Sequence, residues 1–225
     1  MNSLSTLRSA LQAFDTTTFS PFQTLRCCEQ IKVNLSYMNQ KITMIGLASG
    51  LVLGTLGYTH CSIEDVGVLR SMPNICIISP ADTTETVKAI QASINYKQSV
   101  YIRLTGGTNM PLVYEKDYNF QIGKAIKLLA GKDILFISCG SMFSVALESS
   151  QILSKKGLSS EVLNMHTIKP IDRDQIFKSL DKKKLIVTIE EHNIIGGLGS
   201  AVSEVISEVN NAPKTISFGI TDKYS

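Results

Sequence analysis

Apolar residues along this chain follow two rhythms: short unbroken runs, and longer stretches in which they recur three or four apart. Leu4, Leu7, Leu11 and Phe14 sit at helical spacing, and so do Cys28, Ile31, Leu35 and Met38. The run Ile42–Leu47 reads as a strand, followed by a glycine-rich loop and a short helix around Glu64–Arg70. Ile75–Ser79 reads as a buried strand that stops at Pro80. Asp82 and Glu85 form a capping box, and Val87, Ile90 and Ile94 are the expected core face of the helix it opens. Val100–Leu104 is the next strand.

Residues Thr105–Phe120, TGGTNMPLVYEKDYNF, interrupt this pattern and read as a linker. Beyond them come strand Ile134–Ser138, helix Ser141–Lys156 and strand Glu161–Met165. Asp172 and Gln175 form a second box, with Ile171 and Ile176 placed as a hydrophobic staple. Strand Leu185–Ile189 follows. Then comes a helix with Leu198, Val202, Val205, Ile206 and Val209 on one face, and a last strand at Thr215–Phe218. Apolar strands separated by amphipathic helices predict parallel sheets covered on both sides. The expected fold class is α/β, with two parallel-sheet, three-layer domains at 1–104 and 121–225 joined by a linker at 105–120.

Composition narrows the function. The 225 residues carry 22 Lys and Arg against 19 Asp and Glu, a net charge of +3. That lacks the clustered basic excess of a nucleic-acid binder. With 44% hydrophobic and 18% charged residues the chain can bury a real core. Five cysteines, Cys27, Cys28, Cys61, Cys76 and Cys139, show no C-x-x-C spacing, which fits reduced thiols in a cytoplasmic protein. No signal-peptide pattern is seen at the N-terminus.

The segment Ile42–Ile63, ITMIGLASGLVLGTLGYTHCSI, has no Lys, Arg, Asp or Glu and is long enough to span a bilayer. Its four glycines, at about 1 kcal/mol each in a helix, favour a strand and a loop whose backbone approaches something closely. Three scattered histidines, His60, His166 and His192, suggest no metal set, and His166 reads as satisfied structure. The Gly196–Gly199 GGLG opens a helix and reads as a tight turn, although its amides suit an anion.

Several separated motifs go further: TFSPFQTLRCCEQI (Thr18–Ile31), GYTHCSIEDVGVLRSMPN (Gly57–Asn74), ISPAD (Ile78–Asp82), YIRL (Tyr101–Leu104), then GKDILFISCGS, NMHTIKPID and TIEEHNIIGGLGSAV. Together they resemble the C-terminal section of the transketolase family, especially the split, two-subunit kind. Deoxyxylulose-phosphate synthase and the beta subunits of 2-oxo-acid dehydrogenases share the layout more distantly. The resemblance implies an incomplete pyrimidine-binding domain followed by a transketolase C-terminal-like domain. The implied cofactor is thiamine diphosphate, with magnesium or calcium held by a diphosphate-binding partner chain, in a homodimer or heterotetramer. The implied substrate is a sugar or sugar phosphate.

Motif by motif, the resemblance places Phe19 and Phe22 against the pyrimidine ring and His60 near the thiazolium, moving protons on substrate hydroxyls. Glu64, Asp65 and Arg70 take interface and structural roles. The glutamate that hydrogen-bonds the pyrimidine lies upstream of TFSPF in the family, before the start of this chain, and Glu29 is no substitute. The sheets are then expected to expose an edge or apolar surface for a partner to cover. Where sugar-phosphate transketolases carry a histidine, an aspartate and an arginine, this chain has Ala48, Leu56 and Gly106. That implies a different substrate or a different phosphate grip, with Thr105–Pro111 lining the altered pocket. Two functions follow: one half of a ketol transferase, or a non-catalytic truncated paralogue acting as scaffold or regulatory subunit.

Overall fold

The computed structural model describes residues 15–107, 111–114 and 117–224; the helix expected at Leu4–Phe14 lies outside them. The first sheet has the spatial order β1 (Asp15–Phe19), β2 (Thr43–Ser49), β4 (Ser99–Thr105), β3 (Ile75–Ile78), β8 (Thr167–Lys169). The second has the order β10 (Lys214–Ile220), β9 (Leu185–Asn193), β6 (Ile134–Ser138), β7 (Ser160–Asn164), β5 (Ile126–Leu129). Pairing is parallel except for β8 on β3 and β5 on β7. The helices are α1 (Ser20–Gln23), α2 (Cys28–Gln30), α3 (Asp65–Arg70), α4 (Thr83–Ile94), α5 (Met142–Ser154), α6 (Arg173–Ser179) and α7 (Leu198–Ile206). A π-helical stretch, Ile31–Tyr37, continues α2.

Successive strand residues point to opposite faces, and here both faces are buried. In β6, Leu135 and Ile137 join one core cluster while Ile134 and Phe136 join another. In β3 and β4, Ile75, Ile77 and Tyr101 face that first cluster, and Cys76, Ile78, Val100 and Ile102 face a third. This explains why these strands are so continuously apolar. The first cluster also takes Leu69 and Val66 from α3 and Leu198, Val202 and Val205 from α7. One core therefore lies between the two sheets.

Two features differ from the sequence reading. First, β8 comes from beyond the linker yet closes the first sheet, so the halves share strands as well as a core. The linker itself is fastened: Val113 N and Tyr114 N donate to Asp82 Oδ2 at 2.8 and 3.1 Å, and Tyr114 stacks on Tyr118. Second, α4 turns a different face to the sheet. Val87 and Ile94 are 50% and 62% exposed, whereas Glu85, Ala89 and Ser93 are buried and only Ile90 packs on the core as expected. Small side chains let the helix sit close, and Glu85 is kept inside by bonds from Ala81 N and Asn164 Nδ2.

Both expected boxes form their N-cap half, while the side chain of Glu85 turns to Ala81 N and that of Gln175 to Ser179 Oγ. Asp82 Oδ1 accepts from Glu85 N at 2.8 Å, and Asp172 Oδ1 from Gln175 N at 3.1 Å. Ile171 and Ile176 both pack on the central core, as a staple should. Residues 42–63 form β2, a loop and a 3₁₀ turn, and among the described residues no helix is long and apolar enough to cross a membrane.

Candidate active site

Phe19 ends β1, and α1 starts directly after it at Ser20 with Pro21 in its first turn, so the chain turns sharply at the carboxyl end of the sheet. Ligands of open parallel sheets bind at that end. The turn sets Phe22 beside Phe19, ring centroids 5.9 Å apart and nearly perpendicular. The loop after β2 brings His60 to the same place, 6.1 Å from Phe19 and 5.1 Å from Phe22. The three residues singled out in the sequence, 19, 22 and 60, thus form one aromatic cluster. Phe19 remains 38% exposed, and the Arg26 guanidinium covers Phe22 at 3.9 Å. An exposed apolar ring beside a histidine suits a flat heteroaromatic group, which stacks on carbon and meets a proton carrier at its edge. The residues present therefore fit a pyrimidine ring. Among the described residues no three His, Cys, Asp or Glu side chains gather as a metal site.

Behind this cluster lies a buried ionic network that the sequence does not announce. Arg103 Nε bonds Asp65 Oδ2 at 2.8 Å, with both side chains inside. Tyr101 Oη donates to the same oxygen at 2.7 Å, and Ser20 Oγ meets Tyr101 Oη at 2.5 Å. Burial alone would raise the Asp65 carboxyl, but the charge of Arg103 holds it below the usual carboxylate range. Tyr101 reaches this position across Gly46, where a Cβ would stand 2.6 Å from the hydroxyl. Asp65, expected to be structural, anchors α3 to β4. Arg70, expected to serve likewise, bonds Gly196 O and Glu204. A lone arginine in the apolar strand YIRL is the available sequence signal.

The GGLG turn does hold an acidic group on its amides, but an internal one. Leu198 N and Gly199 N donate to the Glu190 carboxylate at 2.5 and 2.8 Å. Gly197 is obligatory, since a Cβ there would lie 2.0 Å from Glu190 Oε2. Gly197→Ala is expected to lower stability by about 1–3 kcal/mol, read by urea denaturation; an unchanged midpoint would contradict this packing. His192 is buried close by, with Nδ1 donating to Asn193 O at 2.7 Å and Nε2 accepting from Gly67 N at 3.3 Å. His166 stacks on Phe120 at 4.3 Å and takes no part in the aromatic cluster.

Ala48 and Gly106 line a cavity of ≈ 360 Å³ together with Pro80, Thr83, Thr86 and Gly107. Both lie in the left-handed backbone region, φ 52° and 80°. Leu56 points outward from the 3₁₀ turn, more than half exposed. Of the predicted pocket segment Thr105–Pro111, residues 105–107 and 111 are described. Glu29 lies on α2, away from the core.

The family model for the transketolase pyrimidine-binding domain matches residues 7–109, and that for the transketolase C-terminal domain matches residues 123–222. The chain is similar to a subunit of the apulose-4-phosphate transketolase of Phocaeicola vulgatus, 38% identical over 203 residues, which are 90% of this chain and 64% of that protein. It is also similar to the 6-deoxy-6-sulfo-D-fructose transketolase subunit SqwH of Clostridium sp., 34% identical over 86% of this chain and 60% of that protein. It therefore spans less than two thirds of the length of these curated relatives. A solved split-gene transketolase, an inactive beta4 tetramer, superposes with a TM-score of 0.87 at 30% identity. The match covers 100% of this chain and 74% of that one. On these matches, taken with its two-sheet architecture, the chain belongs to the transketolase family and comprises that family's pyrimidine-binding and C-terminal domains.

Proposed function

We propose that this chain is the pyrimidine side of a thiamine-diphosphate-dependent ketol transferase that works with a separate diphosphate-binding subunit. The observation that carries the reading is the cluster of Phe19, Phe22 and His60 at the carboxyl end of β1. When bound, the cofactor would supply a carbon nucleophile for two-carbon transfer from a ketose to an aldose. The chain's own part is to hold the aminopyrimidine on Phe19 and Phe22, exclude water there, and move protons at the substrate hydroxyls through His60. A partner would bring the metal and close the site from the other side. Relatives that are themselves subunits of transketolases support this division of labour.

The substrate reading rests on Ala48 and Gly106. They leave a cavity where phosphate-binding relatives would place charge, and each charge-assisted bond omitted is worth about 1.5–3 kcal/mol. Sugars held by hydroxyls, or by a phosphate gripped elsewhere, fit this surface. Ordinary preference for xylulose 5-phosphate over unphosphorylated ketoses would overturn that part.

The test is co-expression with a diphosphate-side transketolase subunit, followed by cofactor titration and assay of two-carbon transfer from ketoses to aldoses. Thiamine diphosphate should bind the complex, and Phe19→Ala should weaken that binding about tenfold. His60→Gln should lower kcat while leaving cofactor affinity near its original value. A complex that forms but binds no thiamine diphosphate would favour the scaffold or regulatory role instead.

A further inference from the structure

We propose that Glu191, on the second sheet, is a positioning residue for His60: it clamps the base of the loop that carries that histidine. The role assigned to His60 is the one proposed above, and the clamp deepens that reading.

The loop spans residues 51–61 and is closed at its foot. Gly50 N donates to Ser62 O at 2.8 Å, and Ser62 N donates back to Gly50 O at 3.0 Å. Above that pair the loop has little packing of its own, for Leu51, Val52 and Leu56 are all exposed. Its bonds are mostly short internal turns, such as Gly54 N to Leu51 O and His60 N to Gly57 O. A segment of this kind opens easily unless its ends are held.

From across the molecule Glu191 holds the first end directly and the second through Arg103. Its Oε1 accepts from Leu51 N at 2.9 Å, a charge-assisted bond to the first residue of the loop. Its Oε2 accepts from Ser141 Oγ at 2.6 Å, which fixes the carboxylate in that pose. Its main-chain oxygen takes a bond at 3.0 Å from Arg103 Nη2, the same nitrogen that bonds Ser62 O at 2.9 Å. The first sheet is built to admit this side chain. Gly50 has φ +81°, and a Cβ there would stand 2.5 Å from Glu191 Cδ. The carboxylate of the C-terminal half occupies the volume that any side chain at position 50 would need.

Hydrogen exchange of the full chain, followed residue by residue by NMR, tests this without cofactor or partner. In Glu191→Ala the amides of loop 51–62 should exchange about 10- to 100-fold faster, with strands β6 and β7 unchanged. Glu191→Gln should restore slow exchange, because its amide oxygen still accepts from Leu51 N and its NH₂ can donate to Ser141 Oγ. The His60 ring resonances should shift in Glu191→Ala and return in Glu191→Gln, which ties the clamp to the placement of that histidine. Gly50→Ala should loosen the same loop, and less so when Glu191 is already alanine. Unchanged loop exchange in Glu191→Ala would overturn the proposal. If that variant loosens throughout, Ser141→Ala decides: faster exchange confined to the loop supports the clamp, and none overturns it. An inactive complex with an intact clamp would instead remove the ketol-transfer reading alone.

Discussion

Arg103→Met is expected to cost about 3–5 kcal/mol of folding stability, read as a lower urea midpoint, and Asp65→Asn added to it should recover part of that loss. The reason is which charge is left behind. Asp65 is fully buried, and Arg103, at 2.8 Å, is the cation bonded to it. Removing the guanidinium leaves a carboxylate with hydroxyls from Tyr101 and Ser20 but no bonded charge to balance its own. His192 cannot stand in, because its Nε2 lies 3.7 Å from Asp65 Oδ1 and already accepts from Gly67 N. Neutralising Asp65 removes the stranded charge, so the double variant should be the more stable of the two. An Arg103→Met protein within about 1 kcal/mol of wild type would show that the pair contributes little.

Arg103 also decides how the halves meet. Its Nη2 bonds Ser62 O in the first half and Glu191 O in the second. The loss should therefore loosen the His60 loop as well as the core. Since the proposed chemistry depends on that loop, any surviving folded fraction of Arg103→Met should also show faster exchange at residues 51–62.

What is legible in the sequence, and what is hidden, follow from the range of the interactions. β3, β6 and β9 are readable because both faces of each are buried, which makes long apolar runs unavoidable. The N-caps at Asp82 and Asp172 are readable because cap and target are three residues apart. The face of α4 misleads for an opposite reason. Its apolar Val87 and Ile94 look outward, while small residues and a hydrogen-bonded glutamate face the sheet, so periodicity points the wrong way. The Asp65–Arg103 pair spans 38 residues and the Arg103–Glu191 bond 88, distances at which a single sequence carries no pairing signal. β8 is hidden for the same reason: nothing in the local pattern around Thr167–Lys169 says which sheet it will join. The aromatic cluster is reached only through family resemblance, because Phe19, Phe22 and His60 have no periodic relation to one another.

Stability should climb as pH rises from 4 to about 6.5 and level off near 7, by up to about 3 kcal/mol in all. Burial lowers His166 and His192 to about 4, so each binds fewer protons folded than unfolded between pH 4 and 6.5. A group depressed in this way contributes stability that is present above its unfolded value and is lost as pH falls through the folded one. For His192 the nearby carboxylate of Asp65, at 3.7 Å, favours protonation, but burial and the Arg103 charge outweigh it. Glu190 works in the opposite direction. Burial raises it to about 7, so its share is present below its unfolded value and fades as pH rises through 7. Glu85, raised by burial in the same way, trims the climb further. Two histidines of about 3 kcal/mol each against Glu190, of similar size, leave the net climb. Urea midpoints between pH 4 and 7.5 check this directly. His166→Phe should remove most of the climb, and Glu190→Gln should steepen it. A midpoint that falls from pH 4.5 to 6.5 would mean that the histidines are not held neutral in the folded protein.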